Sequence, residues 1–187
     1  SSDRVGLAKK SEINAWSGPF IMATANTRVV RRSEALLALR QESYGPNFTY
    51  QEHAFHKSWF SAFRSLVLTG ISVLVLLSPL KRLVKPFLPK PGEGPSEFVQ
   101  ENGWFDCTFI VETEDGIKSV FNMNGKGDPG YKVTSKLVSE CALCLIEEID
   151  NLPGGSEYGG VLTCASGLGN PLIARLSKTG INFTGPL

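Results

Sequence analysis

The sequence predicts an α/β protein, of the α+β kind with a mixed sheet, interrupted by one long apolar helix. Three observations predict it. The second half alternates strand-like and helix-like runs separated by glycine-rich turns. An arginine-rich stretch of helical pattern occupies the first half. Between them, Ser65–Leu80 runs sixteen residues without a charge, inside a longer apolar segment that starts near Trp59.

At 187 residues the chain has the length of one ordinary domain, or of a domain with an appendage. A hydrophobic content of 42% is enough to bury a sizeable core. The chain opens at Ser1 without an initiator Met, and residues 1–20 lack the apolar stretch of a signal peptide. It therefore reads as a fragment of something longer. The net charge of +1 hides a split. Residues 1–95 carry 13 Lys/Arg against 6 Asp/Glu, and residues 96–187 carry 6 against 12. Such asymmetry points one half at something anionic. A dinucleotide phosphate, an acidic lipid surface and a nucleic acid all qualify, as does complementary charge elsewhere in a longer protein.

Residues 1–18 look irregular. Pro19–Ala25 is apolar and suits a strand start or a buried turn. From Asn26 the pattern turns helical: Asn26 or Thr27 can cap, and Val29, Val30, Leu36 and Leu37 supply the apolar side. Gly45-Pro46 ends it. Phe48-Thr49-Tyr50 reads as a short strand, and Trp59–Leu80 as a helix. Prolines and glycines from about 85 to 95 make a linker. Trp104–Thr113 and Ile117–Asn124 flank Glu114-Asp115-Gly116, a hairpin signal. Gly125–Gly130 is a loop, Val133–Ile149 a helix, and Val161–Ala165 a short strand. Pro171–Lys178 is a helix closed by Gly180, and Ile181–Phe183 a last strand. Three regions follow: 1–56, an apolar and basic insert over 57–95, and a compact α/β part over 96–187.

Gly125-Lys126-Gly127-Asp128-Pro129-Gly130 matches the dinucleotide fingerprint G-x-G-x-x-G literally, between a predicted strand and a predicted helix. It follows the second arm of a hairpin, however, and Pro129 removes an N–H that phosphate would need. The acidic residues about 20 positions on end a helix rather than a strand. A tight turn is the better reading. His53 and His56, beside Glu52, lack a third ligand cluster, so no metal site is expected. Of four cysteines, Cys141 and Cys144 form a C-x-x-C. Val133, Leu137, Cys141, Leu145 and Ile149 recur every four residues, which puts Cys141 on an apolar helical stripe. Core packing in a reducing compartment is favoured over metal or redox chemistry. Arg28, Arg31 and Arg32 form the densest basic group before the apolar run; arginine forks suit phosphates and carboxylates. The basic half lacks an aromatic–basic platform, so nucleic acid ranks last among partners.

The apolar run allows three readings: a core helix of a larger protein, a membrane span, or an element lying on a lipid surface. A span needs about 20 apolar residues, and Arg64 and Lys81-Arg82 bracket the run tightly. Surface docking is preferred. Trp59, Phe60, Leu74 and Leu76 would enter the lipid, and Lys81 and Arg82 would meet anionic headgroups.

Several segments together resemble a known family. They are Gly18–Ser33 (GPFIMATANTRVVRRS), Tyr44-Gly45 and Phe48-Thr49-Tyr50. Gly92–Ser96 (GEGPS), Glu101–Phe105 (ENGWF), Gly127–Tyr131 (GDPGY) and Gly159–Thr163 (GGVLT) extend the match. In order and spacing the chain resembles the saccharopine dehydrogenase-like oxidoreductases, of the trans-acting enoyl reductase type, over nearly its whole length. The resemblance implies the C-terminal domain of a two-domain Rossmann-type oxidoreductase. NAD or NADP would be bound mainly by an N-terminal domain outside this chain, and this fragment alone would be inactive. It implies hydride transfer to an enoyl or other lipid-like acyl substrate. It also implies a membrane-associated place on the cytoplasmic side, a lipid droplet among the candidate surfaces. A homo-oligomer stays open. The family supplies no catalytic residue in this half. Asn26, Arg28 and Arg31, near a helix start, are candidates to face cofactor or substrate. Tyr131, opening another helix, is the candidate proton or hydrogen-bond donor. A non-catalytic lipid-surface scaffold of the same fold is the alternative.

Overall fold

A computed structural model describes residues 6–88, 90 and 92–185. Pro89 and Pro91 of the expected linker, and residues 1–5, lie outside the described residues. The chain is mixed α and β, and divides into two compact units, residues 1–90 and 91–187. Its strands do not form one mixed sheet. They form two separate three-stranded sheets, each antiparallel throughout.

In the first unit the order is β1 (Ala8–Lys10), β2 (Ala15–Pro19), α1 (Ala23–Ala38), β3 (His53–His56), α2 (Trp59–Leu77) and α3 (Lys81–Val84). β2 is the central strand, with Lys9 opposite Trp16 on one side and Trp16 opposite His56 on the other. The stretch expected to be irregular thus contributes two strands. They are three and five residues long, too short to show alternation, and Asn14 turns between them with φ +46°. Phe48-Thr49-Tyr50 is not a strand; pairing with β2 begins only at His53. α1 starts three residues earlier than expected. Thr27 does not cap it but sits inside, its hydroxyl donating to the Ala23 carbonyl at 2.6 Å. Gln41, with φ +63°, turns the chain out of the helix well before Gly45.

The buried residues of this unit are small or hydroxylated: Ser17, Thr27, Ser33 and Ala62, with Leu37. Each buried hydroxyl donates to a backbone carbonyl: Ser17 to Ala8, Thr27 to Ala23 and Ser33 to Val29. That removes the cost of burying it. α2 begins where the Ser58 hydroxyl accepts from the Ser61 N–H, and ends at Ser78-Pro79. Its first half packs on β2 and β3 through Ala62.

In the second unit the order is α4 (Glu97–Asn102), β4 (Trp104–Glu112), β5 (Lys118–Lys126), α5 (Lys132–Glu147), α6 (Cys164–Gly167), α7 (Gly169–Lys178) and β6 (Ile181–Thr184). The hairpin is where the sequence places it, and Gly116 takes the positive φ its turn requires. β6 joins β5, with Ile181 opposite Gly125. α5, α7 and the sheet enclose Val133, Cys144, Leu168, Leu172, Leu176 and Ile181. Val161–Ala165 is not a strand. Thr163 and Ser166 form a reciprocal capping box there and start α6 instead.

The four-residue recurrence on α5 also resolves differently. Each step of four advances the face by about 40°. The stripe therefore begins buried at Val133 and has turned to solvent by Leu145 and Ile149. Cys144, eleven residues on from Val133, takes the core position.

Candidate functional site

Among the described residues a groove opens in each unit. The first, of about 540 Å³, runs along α2 in unit one. Its floor is Pro19, Phe20, Ile21, Ala54 and His56, and its wall is a face of α2 on which Ser61, Arg64, Ser65, Thr69 and Ser72 alternate with Leu68, Val73 and Leu76. The hydroxyls recur at helical spacing through an otherwise apolar run. This signal was in the sequence and went unread. The opposite faces of α2 are apolar and exposed: Leu74 is 69% exposed, Leu77 79% and Phe60 68%. Only 6% of the apolar window of this helix is buried. Within its own unit α2 is not a core helix. At 19 residues it is long and apolar enough to cross a membrane, by length and composition.

Trp59 stacks on Phe63, ring centroids 5.2 Å apart, at the start of α2. At its other end follow Lys81, Arg82 and Lys85, all exposed. No Asp or Glu occurs between Glu52 and Glu93. The segment is thus a long apolar rod with cations at its end and no carboxylate along it.

The three residues expected to face cofactor or substrate, Asn26, Arg28 and Arg31, all lie on α1. Arg28 and Arg31 are exposed. Asn26 is engaged: its amide donates to Glu52 Oε2 at 2.9 Å, while Tyr50 Oη donates to Glu52 Oε1 at 2.9 Å. That links α1 to the segment entering β3. Tyr131, in the second unit, immediately precedes α5 with its ring exposed and packed near Gly94. It lines neither groove.

His53 and His56 are three apart on a strand, so their side chains leave opposite faces. Nδ1 of His53 and Nε2 of His56 are buried without a hydrogen-bond partner. Burial first, and the charge of Lys10 second, push the His53 pKa down. No group of three potential metal ligands occurs among the described residues.

The Gly125–Gly130 loop does not fit a dinucleotide. Gly125 lies inside β5, where a Cβ would come within 2.7 Å of the Phe105 ring. The Gly127 N–H donates to the Gly103 carbonyl at 2.7 Å and that of Asp128 to the Gln100 carbonyl at 2.9 Å. The Tyr131 N–H donates to the Asp128 carboxylate at 2.7 Å. These three N–H donors are already used, and a carboxylate stands beside them. The glycines serve close packing and a turn at φ +110°.

The second groove, of about 580 Å³, opens at one end of the second sheet beside Trp104. Asn122 donates to Asp106, Asn124 to Asn122 and Asn182 to Asn124, a ladder across all three strands on the sheet face away from the core. Lys136 closes one side by donating to the Thr179 carbonyl at 2.7 Å.

Over 177 residues the chain is 38% identical to a protein of Mycobacterium tuberculosis (strain H37Rv) named "putative trans-acting enoyl reductase", covering 90% of this chain and 41% of that protein. Its homologues are enoyl reductases by name. It is also 34% identical, over 174 residues, to trans-acting enoyl reductases of Mycobacterium ulcerans and Mycobacterium bovis (BCG), covering 89% of this chain and 40% of each relative. The chain spans about two fifths of the length of these relatives. No family model matches it. No solved structure matches it.

Proposed function

We propose that this chain is the substrate-side, lipid-docking part of an NAD(P)-dependent enoyl reductase of the saccharopine dehydrogenase-like kind. The observation that carries the docking is α2: an exposed apolar helix running into a basic segment with no carboxylate along it. Burying its leucines and aromatics in a bilayer interface recovers about 25 cal/mol for each Å² of apolar surface. Each nearby cation adds about 1 kcal/mol on anionic lipid. The names of the homologues support the reaction class.

On this reading the groove beside α2, apolar with four hydroxyls along one wall, receives the head of an acyl substrate whose chain stays in the lipid. Arg28 and Arg31 face phosphate, of the dinucleotide or of an acyl carrier's phosphopantetheine, and Tyr131 is a hydrogen-bond donor. The dinucleotide belongs to the remainder of the protein, on a Rossmann-type domain, because the glycine loop in this chain is already filled. The location is a cytoplasmic membrane face or a lipid droplet.

Flotation on phosphatidylserine vesicles tests the docking. The parent should float, and Leu74→Asp with Leu76→Asp should remain at the bottom of the gradient. Equal flotation of both, or none by the parent, rejects it. Titration with NADPH should give no saturable binding by this chain alone. Tight binding would overturn the division of labour. A longer protein carrying this chain that floats but binds no dinucleotide would be the non-catalytic scaffold.

A further inference from the structure

The C-x-x-C motif is split by the fold. Cys144 points into the core and is fully buried. Cys141, one turn earlier on α5, is half-buried, and its Sγ lies 4.0 Å from Sγ of Cys164, the first residue of α6. Cys164 is exposed. Two thiols 23 residues apart in sequence thus meet at the surface, while Cys144 is withdrawn into the core.

A disulfide requires an S–S distance of about 2.05 Å, so the sulfurs must approach by about 2 Å. The chain between them passes through Gly154, Gly155 and Gly160, all at positive φ, before re-entering the fold at α6. We propose that Cys141 and Cys164 form a reversible intramolecular disulfide when the protein meets a hydroperoxide. The site is independent of the enoyl reductase reading.

The asymmetry of the pair sets the order of events. Desolvation, with Cys164 as neighbour, pushes the Cys141 pKa up to about 11, so Cys141 keeps its proton at neutral pH. Cys164 is the sulfur an oxidant meets. Its sulfur attacks the terminal peroxide oxygen. The O–O bond breaks, an alcohol or water leaves, and Cys164 becomes a sulfenic acid. The Cys141 sulfur then attacks the Cys164 sulfur. The S–S bond forms, the S–OH bond breaks, and the departing hydroxide leaves as water with the Cys141 proton. The two thiols lose two electrons, which the peroxide O–O bond takes up. A small thiol reverses the bond by exchange. Once formed, the bond ties the start of α6 to α5.

Peroxide treatment of the intact chain, followed by alkylation and non-reducing peptide mapping, tests this. The expected result is a loss of about 2 Da and one cross-linked peptide joining Cys141 to Cys164. Cys107 should remain open to alkylation, and a phosphine reductant should restore the mass. Cys107→Ser should behave as the parent, and Cys164→Ser should lose the 2 Da change. A cross-link through Cys107 or Cys144, a dimer as the sole oxidised product, or four alkylated cysteines without a cross-link would overturn the proposal. The parent's peptide map decides by itself if Cys164→Ser does not fold.

Discussion

The two units place their apolar residues in opposite ways. In the second unit, Val133, Leu168, Leu172, Leu176 and Ile181 close around Cys144, and the sheet and two helices exclude water. In the first unit the buried positions are Ser17, Thr27, Ser33, Ala62 and Leu37, while the most apolar element, α2, is turned outward. Apolar sequence closes a core in one case and is left exposed on a helix in the other. The charge follows the same division: the carboxylate-free, basic segment adjoins α2, and the acidic residues lie in the half with the closed core. An outward apolar helix with cations at its end suits an anionic lipid surface, which rewards both properties together.

The comparison breaks most clearly on stability. Ile181→Ala removes a side chain 1% exposed, and should lower the unfolding free energy of its unit by about 2–5 kcal/mol in urea melts. Leu74→Ala, at 69% exposed, should change it by less than about 0.5 kcal/mol. A comparable loss at Leu74 would mean that α2 is a core element after all. A smaller effect should separate charge from grease. Lys81→Gln and Arg82→Gln should each weaken partitioning to phosphatidylserine vesicles by about 1 kcal/mol. Neither should matter on neutral vesicles. Loss of binding on both vesicle types would point to a structural role for these residues.

The smallest effect concerns His53, whose pKa is lowered by burial and by Lys10. A histidine with a depressed folded pKa is protonated more readily in the unfolded chain. Its contribution is intact above the unfolded value of about 6.5, and is lost as pH falls from there through the folded pKa. His53→Asn should therefore flatten the decline of melting temperature between about pH 6.5 and 5. Parallel curves for the two proteins would remove the imidazole from the account.

Local signals were legible in sequence wherever one segment carried its own evidence. The hairpin at Glu114-Asp115-Gly116 is read from a turn and two alternating flanks. α2, α5 and α7 are read from helical periodicity and end signals. Strands as short as β1 and β2 show no period in sequence, and β2, on which β1 pairs, is held by β3 from 34 or more residues away. Val161–Ala165 misled because β-branched and apolar residues there outweighed Thr163 and Ser166, whose capping box is the stronger local device. Among the candidate site residues, the docking set on and after α2 lies exposed. The engagement of Asn26 by Glu52 was invisible, since the partner is 26 residues away.

By itself the sequence determined that this protein has a long apolar helix, a basic segment after it, an acidic α/β half and a glycine loop that only formally resembles a nucleotide site. These follow from composition, period and turn chemistry, which act over a few residues. Tertiary structure alone decided three things. α2 remains uncovered within its own unit, the N–H groups of Gly127, Asp128 and Tyr131 are spent on Gly103, Gln100 and Asp128, and Cys141 meets Cys164. Each depends on which distant segments pack together. A helix or a turn forms from neighbours along the chain, whereas a contact, a filled cradle or an unfilled face exists only after the chain has closed on itself.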